Sequence, residues 1–150
     1  MFTLVFHGNI GQFQNPELLK EVMMELKNRN EEIHCIVIGS GSRQDVFEKH
    51  PIPNLKYYGR LNNERLASII RKAHVGISFR TENEISMRSI PVRVSEYIGI
   101  GIPILLTPKS EAGEILELNQ VGKSFNNDQL KESCDFIIEL KYSRGLYNYY

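Results

Sequence analysis

Tryptophan is missing from this 150-residue chain, cysteine occurs twice, and net charge cancels, with 18 lysines and arginines against 18 aspartates and glutamates. Each scarcity removes a class of function. Balanced charge supplies no global field for nucleic acid or an anionic membrane, so any anion site must be local. Cys35 and Cys134 are far apart in sequence and lack the spacing of a metal site. Cys35 lies in the apolar run HCIVI, where a thiol serves as a small core residue, and a reducing cytoplasm is the expected compartment. His7, His34, His50 and His74 are scattered, so no metal is expected. The apolar runs are far too short to span a bilayer, and Met1 leads straight into FTLVF with no basic segment or cleavage site. No membrane insertion is expected.

What the chain does have is alternation. Apolar runs at Leu4–His7, His34–Ile38, Leu55–Tyr58, Val75–Phe79, Pro103–Leu106 and Lys123–Phe125 read as strands. Amphipathic segments lie between them. Asn15 can cap a helix with Pro16 in its first turn and Leu18, Leu19, Val22, Met23 and Leu26 as its apolar stripe. Further helices are expected at Gln44–His50, Glu64–Ala73, Pro91–Ile100, Glu111–Leu118 and Gln129–Leu140. Strand and helix in alternation predict right-handed crossovers and a parallel sheet covered on both faces. The fold class expected is α/β, a Rossmann-like doubly wound parallel sheet of about six strands, with residues 1–150 as one domain ending in a tail over 141–150.

Ligands in such sheets bind outside the carboxyl ends of the strands. Five segments leave those ends: Gly8-Asn9-Ile10-Gly11, Gly39-Ser40-Gly41-Ser42, Gly59-Arg60-Leu61-Asn62, Arg80 through Ser89, and Thr107-Pro108-Lys109-Ser110. Glycine there lets backbone approach a ligand closely. Arg80, Arg88 and Arg93 fall in or just beyond the longest connection, beside a helix start. Guanidinium groups at a helix N-terminus make a natural phosphate site. Arg93 and Glu96, three apart, share a helix face, and that spacing alone fits a solvated ion pair as well as a ligand site. The glycines do not spell a dinucleotide fingerprint, because GSGSRQ has Gln44 where a third glycine belongs. Neither a Walker A motif nor a nucleophile elbow is present.

Together, FHGNIGQFQNPELL, CIVIGSGS, YYGRLNNERLASIIRKAHVGIS, IPVRVSEYIGIGIPILLT and EAGEILELNQVG resemble the C-terminal half of a GT-B-fold glycosyltransferase, closest to the retaining bacterial family-four enzymes of surface glycan synthesis. The most specific part is Pro91, Arg93, Glu96 and Tyr97, followed by Gly101 and Pro103. The resemblance implies a domain that binds a nucleoside-diphosphate sugar, UDP- or GDP-linked, with no further cofactor. It assigns Glu96 to the ribose hydroxyls and Arg93 to charge on the departing diphosphate, a charge that Arg88 is expected to share although it departs from the family pattern. Gly8, Asn9, Gly11 and Gln14 would face phosphate and sugar, with Gly39 and Gly41 in the next loop. Gly59, Arg60 and Leu61 would border the base, and Ser89, Ile90 and Pro91 would bring the helix start toward phosphate.

Two departures stand out. Relatives with an arginine and a lysine after the first strand neutralise the diphosphate there, whereas this chain has Asn9 and Gln14. Relatives with a glutamate eight residues before Glu96 are matched here by Arg88, which cannot accept a hydroxyl hydrogen bond but could carry diphosphate charge. For Arg80 the simpler expectation is an exposed side chain on a mobile loop. The resemblance also implies an N-terminal acceptor domain as a partner, so that residues 1–150 would be a fragment rather than a natural split protein, inactive alone. The aromatic tail from Leu146 to Tyr150 would pack on that partner. Localisation is expected to be cytoplasmic, with any peripheral contact with the inner membrane belonging to the full-length protein. Two alternatives remain at this level: a noncatalytic nucleotide- or partner-binding α/β module, and a GT-B-fold sugar-nucleotide epimerase.

Overall fold

A computed structural model describes residues 1–143. Strands β1 (Phe2–His7), β2 (Ile33–Ile38), β3 (Leu55–Tyr57), β4 (Val75–Phe79), β5 (Ile104–Thr107) and β6 (Gly122–Ser124) form one sheet in the order β3-β2-β1-β4-β5-β6. Every pairing is parallel. Helices α1 (Pro16–Asn28), α2 (Asp45–Glu48), α3 (Asn63–Lys72), α4 (Glu84–Arg88), α5 (Val92–Ile100), α6 (Glu111–Leu118) and α7 (Leu130–Tyr142) connect and cover it. β1 and β4 are buried at every residue, because the crossover helices cover both faces of the sheet. On one face α1 and α7 contribute Leu18, Leu19, Val22, Met23, Ile137 and Leu140; on the other α3, α5 and α6 contribute Ile70, Val94, Tyr97 and Leu116.

Local chemistry sets the helix starts. Asn15 Oδ1 accepts from Leu18 N at 3.2 Å with Pro16 in the first turn, and Asn62 Oδ1 accepts from Arg65 N at 2.9 Å. The expected helix over Gln44–His50 is a single short turn, α2. Two readings need correction. Pro91 stands just outside α5 in an extended conformation rather than inside its first turn. The connection after β4 is not an unstructured loop, since Asn83 caps α4 within it by accepting from Ser86 N at 2.9 Å. Of the expected tail, Lys141 and Tyr142 end α7, and residues 144–150 lie outside the described residues.

The sheet reverses its strand order between β1 and β4, where a doubly wound sheet opens a ligand crevice. Only Leu4↔Val75 and Val5↔Gly76 pair across this junction. Beyond them a fully buried Tyr97 takes over, its hydroxyl 3.1 Å from the carbonyl oxygens of both Val5 and Ile77. Gly76 leaves the room for that ring, because a β-carbon there would collide with it. A polar tip on a large buried ring thus finds backbone acceptors on both strands of the switch.

Candidate active site at the strand switch

The loops that follow β1, β2 and β3 are tied to one another through backbone. Ile10 N donates to Ser40 O at 2.9 Å, Arg43 N to Ile10 O at 2.8 Å, and Gly39 N to Gly59 O at 2.8 Å. Tyr57 Oη donates to Gly39 O at 2.6 Å. Gly39 and Gly41 are therefore required for the loops to approach each other, since a β-carbon at either would strike the carbonyl of Gly8 or Ile10. The expectation that these glycines mainly admit a ligand misses this first duty. The Gly41 amide is further engaged by Gln44 Oε1 at 3.0 Å, so the side chain in the place of a third glycine has a structural role. Between the loops lies a cavity of about 380 Å³ lined by His7, Gly8, Asn9, Ile38, Gly39, Ser40, Arg60, Leu61 and Leu66.

Arg93 adjoins this cavity from α5. It is buried, its guanidinium lies over the Phe6 ring at 4.7 Å, and Nη2 donates to Asn9 O at 3.3 Å. Gly8 has a positive φ of 113° and leaves the space that the guanidinium occupies, a β-carbon there falling 3.3 Å from Nη2. Nη1 is buried with no hydrogen-bond partner among the described residues. Burial lowers the basicity of Arg93, yet an arginine stays charged at neutral pH. Arg80 is also buried, contrary to its expected exposure, and Arg93 depresses its basicity further after burial itself. Among the described residues neither arginine forms a salt bridge with a carboxylate. α5 begins with no side-chain cap and no acidic residue in its first turn, so the N–H groups of Val92 and Arg93 lack helical acceptors. Two buried cations beside an open helix start make a strongly anion-seeking corner.

Glu96 comes to the same end of β1. Its Oε2 lies 2.9 Å from Nε2 of His7, with its side chain 45% exposed. Burial, then the Arg93 guanidinium, pushes the His7 pKa down from 6.5 to about 4, so His7 is neutral at pH 7. Stability should therefore depend on this group between those values. Above pH 6.5 His7 is neutral folded and unfolded; as pH falls toward 4 the unfolded chain binds the proton first, and stability is lost. Between pH 7 and pH 4.5 the loss from His7 should reach about 2 to 3 kcal/mol, taking 1.36 kcal/mol per pKa unit. Urea unfolding at both pH values should show a shallower dependence for His7→Gln than for the parent chain. Equal dependence would mean that His7 titrates normally when folded.

The other expected site residues are placed as follows. Asn9 is exposed and Gly11 buried against it. Gln14 is buried, bridges the Arg80 backbone, and leaves Oε1 without a partner among the described residues. Arg60 is exposed and Leu61 half-buried at the cavity wall. Gly59 has a φ of 69° and open space around it. Ser89 departs from expectation: its amide already donates to Ile85 O at 2.9 Å, so it offers no N–H to phosphate. Pro91 has none to offer. Ile90 is exposed, and Arg88 is an exposed end to α4 with no hydrogen bond or ion pair among the described residues. Among those residues no group of three histidines, cysteines or carboxylates is arranged to hold a metal, and no helix is long and apolar enough to cross a membrane. Sequence reasoning missed the placement of Arg80, although its position directly after the buried β4 was a signal.

The arrangement can be set beside known proteins. No curated protein matches the chain by sequence. Solved structures do match its fold. The chain is similar to HepE from Anabaena, solved with UDP and glucose, at 12% identity and a TM-score of 0.77, covering 99% of this chain and 40% of that one. The C-terminal domain of LpcC, a glycosyl transferase group 1 protein from Francisella tularensis, gives 13% identity, a TM-score of 0.75, and coverage of 99% and 79%. The catalytic domain of cholesterol-alpha-glucosyltransferase from Helicobacter pylori gives 18%, 0.69, and coverage of 98% and 92%. Such identities carry the fold, a Rossmann-like α/β domain of the GT-B glycosyltransferase kind. The family glycosyl transferases group 1 matches residues 2–149, and this chain belongs to that family.

Proposed function

We propose that this chain binds the nucleoside-diphosphate sugar donor of a glycosyltransferase, UDP- or GDP-linked, and works with an N-terminal acceptor domain to transfer the sugar to a glycan or lipid-linked acceptor in surface polysaccharide synthesis. The observation that carries the reading is Arg93, a buried guanidinium that has no carboxylate partner among the described residues and lies beside the open start of α5. In this role Arg93 and the α5 start hold the diphosphate and stabilise the charge that develops as it departs. Arg88, exposed and unpaired at the end of α4, closes over it from outside. Glu96 accepts from the ribose hydroxyls. Gly8, Asn9, Gly11 and Gln14 border phosphate and sugar, Gly39 forms part of the cavity wall while Gly41 seats its loop against Ile10, and Gly59, Arg60 and Leu61 border the base. No metal or further cofactor enters the scheme. Family membership supports this over a noncatalytic module or an epimerase.

Ligand stabilisation tests it. Thermal unfolding with UDP, GDP, CDP, ADP and NAD should show a shift for UDP or GDP, because a ligand at a hundred times its dissociation constant adds about 2.7 kcal/mol. Glu96→Ala should reduce that shift and leave the ligand-free transition in place, since the Glu96 side chain is half exposed. No shift with any of the five would overturn the reading. Joined to a matching N-terminal domain, the chain should release nucleoside diphosphate in an acceptor-dependent way; alone it should not, because one wall of the cleft leaves the site wet.

A further inference from the structure

We infer that Arg80 is a positioning residue: an internal tie that holds the α4–α5 connection so that the α5 start and Arg93 meet the phosphates. This rests on the donor-binding reading and adds a residue that makes no contact with the ligand. Arg80 Nη2 donates to Ser86 O at 2.6 Å and to Ser89 O at 2.9 Å, and Nη1 donates to Ser89 Oγ at 2.8 Å. Ser89 Oγ in turn donates to Ile85 O at 2.6 Å, which closes the α4 turn. One planar fork thus grips the middle and the C-cap of a five-residue helix, and only Ile90 and Pro91 separate the gripped Ser89 from the start of α5.

The root of the fork is as firmly held as its tip. Arg80 N donates to Thr107 O at 3.0 Å, and Arg80 O accepts from Asn127 Nδ2 at 3.2 Å and pairs with the Gln14 strand segment as an isolated bridge. The tie therefore runs from the carboxyl ends of β4 and β5 to the connection. Carbonyl and hydroxyl acceptors do not by themselves require a buried cation, and Arg80 sits close enough to Arg93 to be electrostatically depressed by it. Such a pair is costly in the empty chain and favourable once an anion arrives. The charge of Arg80 and its fork geometry are both used: the fork fixes the connection, and the charge favours the diphosphate from behind Arg93. Lysine has the charge without the planar fork.

Arg80→Lys and Arg80→Met in the full 150-residue chain separate these contributions. Amide hydrogen exchange without ligand should show faster exchange over residues 85–93 in both variants, with β1 and β2 amides unchanged as the internal control for folding. Affinity for UDP should fall about tenfold in Arg80→Lys and further in Arg80→Met, while uridine changes less than about twofold, since charge-assisted contacts act on phosphate alone. GDP and guanosine serve as the second pair. Unchanged exchange over 85–93 would overturn the tie, and equal losses for UDP and uridine would show that Arg80 acts only on general stability. A parent chain that binds uridine as tightly as UDP and guanosine as tightly as GDP would overturn the donor-binding reading instead, and the exchange result would still decide whether Arg80 is the tie.

Discussion

Gly39→Ala should destabilise the chain by about 3 kcal/mol or more, the largest effect expected of any single methyl added to the crevice. Two costs coincide there. Gly39 has a φ of 139°, a conformation that side-chain-bearing residues rarely adopt, and a β-carbon would lie inside the carbonyl of Gly8. Neither side can yield easily, because Gly39 N is bonded to Gly59 O and its carbonyl to Tyr57 Oη, while Gly8 N is held by Ile38 O. Gly59 is the control. Its φ of 69° is also left-handed but no described residue crowds it, so Gly59→Ala should cost only about 1 kcal/mol. Chemical denaturation of both variants checks the contrast. Equal costs would mean that loop packing at Gly39 is looser than the contacts require.

Arg93→Met should separate function from stability with opposite signs. Methionine keeps an unbranched apolar stem over Phe6 and removes a buried charge that has no carboxylate partner among the described residues. Folding stability should stay level or rise by about 1 kcal/mol, because a buried unpaired charge is a desolvation cost. Affinity for UDP or GDP should fall about tenfold to a hundredfold, the range for losing a charge-assisted hydrogen bond. Thermal melts and titration calorimetry on the same preparation read both. A variant that is markedly less stable but binds UDP as before would make Arg93 a packing residue.

Much of this was legible in the sequence because it rests on local rules. Asn15-Pro16 and Asn62 mark helix starts, uninterrupted apolar runs mark strands buried on both faces, and glycine after each of the first three strands marks the crevice edge. The segment from Pro91 to Pro103 carries both its helix and its Arg93–Glu96 spacing in plain view. What remained hidden depends on contacts between distant segments. Nothing near Tyr97 in sequence says that its hydroxyl reaches Val5 and Ile77, seventy residues and more from one another, or that Gly76 exists to admit its ring. Arg80 read as a loop residue because its acceptors, Ser86 and Ser89, belong to a short helix formed by weak local signals. His7 and Glu96 meet only because α5 returns to the end of β1. For the same reason Ser89, adjacent to the helix start in sequence, proves to have spent its amide within α4.

The central claim is that this crevice recognises phosphate, and the most direct measurement is the affinity of the unmodified chain for UDP against uridine and for GDP against guanosine. Titration calorimetry at two salt concentrations should show one diphosphate binding about tenfold or more tightly than its nucleoside, with the difference shrinking as salt rises, since screening weakens charge attraction. Equal affinity of diphosphate and nucleoside in both pairs, at low salt, would contradict the account.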